Sequence, residues 1–264
     1  MPELPEVQTF VTGLRPAVGR RIRSVDVVDP TLRLDGDRLL GSQIAAIGRR
    51  GKNVVLALDP AGDLVIHLRM SGRIRLECPP NETAYTRLIL GLDPAGSIYF
   101  VNPRRLGTVR LCPDGFDTDL GVDPLDRAFT PIRLAEIAGA SGMPIKQLLL
   151  DQRRIAGLGN IYAAESLWRA RIDPRRPARS LSTVEAETLH CGILAVLGEA
   201  IDQLGTTLGH SISDYRPEPG SEGGFTNELA VYGRADDPCK RCGRPIERIV
   251  QGGRSTYLCP ACQR

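Results

Sequence analysis

The 264-residue sequence has no run approaching the roughly 18 to 20 consecutive apolar residues that a bilayer-spanning helix requires. Its opening, MPELPEVQTF, lacks both the basic and the long apolar part of a signal peptide. A soluble, cytoplasmic protein with no membrane partner is expected. An excess of one charge sign is also missing. Thirty-four Lys+Arg stand against 31 Asp+Glu, a formal net charge of +3, so overall charge does not announce a nucleic-acid partner. Internal repeats and low-complexity tracts are absent. What is present is 42% hydrophobic residues, which excludes general disorder and is enough for a core in each of about two domains at roughly 150 residues apiece.

The distribution of charge says more than its sum. Residues 151–179 carry seven Arg against three acids, and residues 234–264 carry seven Lys+Arg against three acids, +4 in each case. Between them, residues 181–233 hold eight acids and a single basic residue, Arg216. Two basic elements that share a polyanion fit this pattern, as do the solvated faces of ordinary helices.

Near the N-terminus, Val7, Phe10, Val11 and Leu14 follow helical spacing, with Pro and Glu suited to a helix start. From Ile22 to about Leu111 the pattern becomes short β-type runs (IRSVDVV, NVVLALD, DLVIHL, TRLILGL, SIYFV, TVRL) cut by turn dipeptides, which predicts a β-sandwich or barrel. The Asp, Gly and Pro of 113–127 predict a linker. Helical spacing then predicts helices over 131–139, 144–152, 160–169 and 182–204, the last opened by a capping box of Ser182 and Glu185. Between the second and third, RRIAGLGN offers a glycine turn at a helix start, where backbone N–H groups could bind phosphate; an ordinary helix-turn-helix corner is the alternative. The expected fold class is multidomain α+β, with domains at 1–114 (helix plus β-sandwich), 128–230 (helical, helix-two-turn-helix) and 231–264 (zinc ribbon).

Of the seven cysteines, Cys78, Cys112 and Cys191 sit among apolar neighbours and are expected to be buried thiols. The other four, Cys239-x-x-Cys242 and Cys259-x-x-Cys262, form two knuckles that can bring four thiolates around one structural zinc. A redox dithiol or two disulfides fit the spacing and compartment less well. Between the knuckles, IERIV and STYL flank QGGR, which predicts a β-hairpin turning at Gly252-Gly253 with Arg254 at its tip.

The blocks Met1-Pro2-Glu3-Leu4-Pro5-Glu6-Val7, GRRGKNVVL around Lys52, His67-Leu68-Arg69-Met70-Ser71-Gly72, Asn102-Pro103-Arg104-Arg105-Leu106-Gly107, GLGNIYAAESL around Asn160, and ELAVYGR before the four-cysteine ribbon together resemble bacterial formamidopyrimidine-DNA glycosylases. They follow that family's order over nearly the whole chain. Leu4 and Val7 are similar to this branch more than to the related endonuclease VIII branch.

The resemblance implies a bifunctional base-excision-repair enzyme that removes oxidised purines such as 8-oxoguanine and cuts the strand at the resulting abasic site. It implies Pro2, freed of Met1, as the nucleophile that forms a Schiff base with the sugar. An α-amine suits that role because it titrates near 8, about two to three units below an unperturbed lysine. By the same resemblance Glu3 is the general acid/base, Lys52 assists base removal and strand cleavage, and Arg254 contacts phosphates and assists the final elimination. Asn160, nearby backbone N–H groups, Lys146 and Tyr85 are expected at phosphates, Tyr85 standing where a histidine is common. Met70, Arg104 and Leu106 would fill the gap left by the extruded base, although spacing alone also fits Met70 and Leu106 as core residues. Leu106 replaces a usual phenylalanine, Arg69 a usual glycine, and the Gly209–Phe225 segment is longer than the family's lesion-capping loop. The expected partner is duplex DNA with oxidised bases or abasic sites, held by a monomer in a cleft between domains. An oxidised-pyrimidine glycosylase or a noncatalytic zinc-ribbon protein that recognises damaged DNA are the alternatives; Pro2-Glu3 together with Lys52 argues against the latter.

Overall fold

The computed structural model describes residues 1–116, 119–209, 214–217 and 221–264. The chain forms two compact units, Met1–Thr118 with Gln203–Gly224, and Asp119–Asp202 with Phe225–Arg264.

The first unit opens with helix α1 (Leu4–Leu14). Glu3 is its N-cap in a reciprocal capping box: the Glu3 side chain accepts the Glu6 backbone N–H, and Glu6 Oε2 accepts the Glu3 N–H at 2.7 Å. Val7, Phe10, Val11 and Leu14 are buried, as their spacing predicts. Eight strands follow: β1 (Arg21–Asp26), β2 (Gln43–Arg50), β3 (Asn53–Asp59), β4 (Gly62–His67), β5 (Arg73–Arg75), β6 (Thr86–Asp93), β7 (Ser97–Val101) and β8 (Thr108–Cys112). They are ordered β5-β7-β6-β1-β2-β3-β4-β8 with antiparallel pairing throughout. In the middle, β1 and β2 share the single register pair Arg21↔Gln43, so the strands divide into two four-stranded halves. Ile22, Leu90, Ile98 and Phe100 of one half and Ile44, Leu56, Leu64 and Ile66 of the other belong to one buried cluster with α1, which is the expected sandwich. Strands β2 and β5 escape the sequence pattern because QIAAIGRR is built from weak strand formers and β5 has only three residues.

The second unit contains α2 (Pro131–Gly139), α3 (Ile145–Leu150), α4 (Asn160–Arg169), α5 (Thr183–Asp202) and the hairpin β9 (Glu247–Gln251) and β10 (Arg254–Leu258). The Ser182–Glu185 box is formed in both directions, Glu185 N–H to Ser182 Oγ at 3.2 Å and Ser182 N–H to Glu185 Oε2 at 2.8 Å.

The units differ from the expected domain boundaries in three places. Residues 119–127 are not free linker: Gly121 N–H donates to Gln152 O at 2.9 Å, and a Cβ at Gly121 would collide with the Arg154 backbone. Residues 203–224 belong to the sandwich unit, where Tyr215 packs edge-on to Phe10 with ring centroids 5.5 Å apart. The ribbon is part of the helical unit, since Cys239, Cys259 and Ile246 share a buried cluster with Ala164 of α4 and with Val231. Of the lone cysteines, Cys191 is exposed and Cys78 and Cys112 are half-buried, so none is the fully buried thiol expected. Parts of the Gly209–Phe225 segment, 210–213 and 218–220, lie outside the described residues.

Candidate active site

Pro2 and Glu3 are buried at the start of α1, and Met1 before them is exposed. Beneath them Glu6, 2% exposed, binds two backbone donors: Oε2 takes the Glu3 N–H and Oε1 takes the Thr206 N–H at 2.9 Å. Gly205, with φ +83°, makes this approach possible, because a Cβ there would meet Glu6 Oε1 at 2.7 Å and Cγ at 3.0 Å. Thr207 Oγ1 donates to Tyr215 O at 3.0 Å and accepts the Gly223 N–H at 2.8 Å. The backbone of Glu3 is thereby tied through Glu6 to the 204–224 segment. Sequence reading gave Glu6 no such role; its position at N3 of a capping box was the available signal.

Helix α1 packs on β2, β3 and β5. Arg49 Nε donates to Gln8 Oε1 at 3.2 Å and its Nη1 to Gly51 O at 2.9 Å, which fixes the β2–β3 turn against α1. That turn carries Lys52, 6% exposed. A lysine at a strand head is ordinarily solvated; this one is enclosed, on a turn that Arg49 ties to α1. His67, paired with Asn53 across β3 and β4, is pushed down to about 4 by burial first, then by the charges of Arg69 and Lys52. Neutral, its Nδ1 accepts the Arg69 N–H at 3.0 Å.

Met70, Arg104 and Leu106 all stand exposed, Met70 at 41% and Leu106 at 48%, which overturns the core reading of the two apolar residues. Their two turns are joined by Ser71, whose Oγ donates to Asn102 Oδ1 and accepts the Arg104 N–H, both at 3.3 Å. Tyr85 is half-buried, and its carbonyl accepts the Asn102 N–H at 2.8 Å.

In the second unit the hairpin turns at Gly252-Gly253, with φ of 56° and 72°, and Arg254 is exposed opposite Gln251. Lys146 corrects an expectation. It is 1% exposed and its ammonium donates to Ser255 O at 3.0 Å and Thr256 Oγ1 at 2.6 Å, so it faces the hairpin and not a phosphate. Asn160 is half-buried and its Nδ2 donates to the same Ser255 carbonyl at 2.9 Å. Lys146 and Asn160 thus converge on the residue that follows Arg254. Gln152, which sequence reading passed over, braces the glycine turn before α4 by accepting the Gly157 N–H and donating to Leu158 O. Glu165 was also missed. Enclosed in α4, its carboxylate accepts the backbone N–H groups of Ala230, Val231 and Tyr232, and burial pushes its pKa up against those bonds. A single acid in a helix buried on nearly every face was the signal.

The ligand atoms of Cys239, Cys242, Cys259 and Cys262 lie within 4.8 Å of one another. Cys242 and Cys259 sulfurs are 3.5 Å apart, well beyond a disulfide bond of roughly 2.05 Å and close to the edge of a tetrahedron with Zn–S of roughly 2.3 Å. Four soft donors, with no fifth His, Cys, Asp or Glu in the set among the described residues, fit one structural zinc. Among the described residues, no helix is long and apolar enough to cross a membrane.

The family model for the formamidopyrimidine-DNA glycosylase N-terminal domain matches residues 1–109, that for the corresponding H2TH domain matches 120–211, and that for a zinc finger found in FPG and IleRS matches 236–264. A formamidopyrimidine-DNA glycosylase of Thermus thermophilus is 44% identical over 270 residues, covering 100% of this chain and 98% of the relative. The crystal structure of the MutM (FPG) protein from Thermus thermophilus superposes with a TM-score of 0.87 at 43% identity, covering 99% of this chain and 98% of that one. The Lactococcus lactis FPG bound to a Fapy-dG containing DNA superposes with a TM-score of 0.85 at 32% identity, covering 99% and 100%. The chain belongs to the formamidopyrimidine-DNA glycosylase family, base-excision-repair enzymes that act on oxidised purines.

Proposed function

We propose that this protein removes 8-oxoguanine and formamidopyrimidines from duplex DNA and then cuts the strand at the abasic site, acting as a monomer in the bacterial cytoplasm. The observation that carries the reading is the enclosed Pro2-Glu3 start of α1, its backbone held by Glu6, together with a buried Lys52 on the β2–β3 turn that Arg49 ties to α1. With Met1 removed, the Pro2 nitrogen attacks C1′ and the bond from C1′ to the base breaks, the leaving base taking a proton. Glu3 delivers protons at the sugar and Lys52 supports the charge that develops, both in a water-poor setting that strengthens their interactions. Glu3 protonates O4′ as the C1′–O4′ bond opens, and the Pro2 nitrogen, having lost its own proton, becomes the iminium; the iminium acidifies the C2′ proton, and loss of that proton expels the 3′ phosphate. A second elimination, with Arg254 at the phosphates, expels the 5′ phosphate. Zinc held by the four cysteines would supply folding free energy to the ribbon that carries Arg254 and take no part in the bond changes themselves.

Borohydride reduces an iminium, so it traps a covalent protein–DNA adduct on a duplex with 8-oxoguanine opposite cytosine. A protein with a verified Pro2 N-terminus that binds this duplex and an abasic one yet gives no adduct on either would instead be a noncatalytic damage-recognition protein.

A further inference from the structure

Met70 and Leu106 share an unusual backbone setting. Each follows an arginine in the left-handed region, Arg69 at φ 53° and Arg105 at φ 54°. Non-Gly residues keep that conformation where the surroundings over-determine it. Around Arg105 the surroundings are specific. Its Nε donates to Asp29 Oδ2 at 2.8 Å and its Nη2 to Asp29 Oδ1 at 2.7 Å, a bidentate fork. Asp29 is 2% exposed and comes from a distant segment, 76 residues earlier in the chain. Its Oδ1 also accepts the Thr31 N–H at 3.1 Å and hydroxyl at 2.7 Å, so the carboxylate cannot swing away. The pKa of Asp29 is held well below the usual carboxylate range, chiefly by the Arg105 hydrogen bonds. Arg87 closes the frame by donating from Nε to Asn102 O at 3.2 Å.

We infer that Asp29 is a positioning residue for the strand-entering wedge: through Arg105 it fixes the turn that presents Arg104 and Leu106, and Ser71 locks that turn to the one presenting Met70. The inference rests on the reading of Met70, Arg104 and Leu106 as the side chains that replace an extruded base. Tips that enter DNA cannot themselves be held by packing in the free protein. Their order comes from the buried polar groups beneath, and the ordering cost is then met before DNA arrives. The Asn102 side chain and Gly107 complete the fit, because a Cβ at Gly107 would collide with Asn102 Nδ2 and lie 2.6 Å from Phe100 Cζ.

The test compares wild type, Asp29→Asn, Arg105→Ala and Met70→Ala in single-turnover cutting of one duplex sequence carrying either 8-oxoguanine or an abasic site. A 2-aminopurine beside the lesion reports unstacking by its fluorescence. Asp29→Asn and Arg105→Ala are expected to slow 8-oxoguanine excision on the order of ten- to a hundredfold, the scale of a modest misplacement, and to reduce the 2-aminopurine signal. Abasic cutting should change by less than about threefold, because no paired purine has to leave the stack. The double variant should be no worse than the more impaired single one, as two halves of one fork. Arg105 is half-exposed at its side chain, 53%, so its truncation tests the idea even if Asp29→Asn folds poorly. Equal losses on both substrates, or an unchanged 2-aminopurine signal in both variants, would overturn the positioning role. If Met70→Ala loses both activities equally, the wedge reading itself fails; if Met70→Ala is selective and the Asp29 and Arg105 variants are not, only the present inference fails.

Discussion

Replacing Gly205 by Ala adds one methyl group at a point where the structure leaves no place for it. Two costs are separable. The first is conformational: φ is +83°, and a left-handed non-Gly residue costs roughly 1–2 kcal/mol, of which about 0.5–1 kcal/mol is returned because alanine has less freedom to lose from the unfolded chain. The second is steric: the new Cβ would meet Glu6 Oε1 at 2.7 Å, Glu6 Cγ at 3.0 Å and Tyr215 Cε1 at 3.1 Å. Glu6 is buried and holds the backbone of both Glu3 and Thr206, so it cannot yield without breaking those bonds. Overpacking of this kind costs about 1–3 kcal/mol. Gly19 is the internal control, with φ +86° and nothing within 4 Å of where a methyl group would sit, so Gly19→Ala carries the first cost alone. The expected losses are about 1 kcal/mol for Gly19→Ala and about 3 kcal/mol for Gly205→Ala, or roughly 2–4 °C and 6–12 °C in the transition of the sandwich unit by calorimetry. Borohydride trapping adds a functional reading: Gly205→Ala should form adduct more slowly because Glu3 loses its fixed backbone, while Gly19→Ala traps like wild type. Equal thermal shifts in the two variants would refute the steric argument, and unimpaired trapping in Gly205→Ala would refute the coupling of Glu6 to Glu3.

Arg69→Gly removes a left-handed arginine from an exposed position and should stabilise the protein by up to about 1 kcal/mol. It also removes one of the charges that depress His67, so NMR titration of the His67 ring should give about 4 in wild type and a higher value in the variant, short of 6.5 because burial persists. The sign follows from linkage: between pH 6.5 and 4 the unfolded chain takes up a proton that folded His67 refuses, so stability falls as pH drops through that window, and it should fall less in the variant. Zinc should bind at one per chain, and its removal, or Cys242→Ser, should change the emission of Trp168, the one tryptophan, which packs on the cluster containing Cys239 and Cys259. The sandwich transition should persist while DNA affinity drops sharply; full strand cutting by zinc-free protein would contradict the role given to the ribbon.

Local signals were legible in the sequence. The α1 spacing, the Ser182–Glu185 box, α2 and α4 to the residue, and the hairpin around Gly252-Gly253 each depend on neighbours within a few positions. Features decided at long range were not. Lys146 reads as a free cation in PIKQLLLDQ, and only the fold reveals that its partners lie 109 and 110 residues away. The 203–224 segment follows directly from α5, yet its Thr206 N–H donates to Glu6 at the other end of the chain. For Met70 and Leu106 the sequence pattern is ambiguous in principle, because a side chain that is buried and one that stands exposed are equally apolar.

The left-handed arginines that precede the exposed Met70 and Leu106 separate two properties that most side chains must share. A core leucine is ordered because it is buried, so its shape is constrained by everything that touches it. Leu106 is directed by a backbone turn whose determinants, Asp29, Arg105, Asn102 and Gly107, lie behind it. Nothing in that frame measures the size of the tip. A phenylalanine and a leucine can therefore exchange at this position while the turn is left intact.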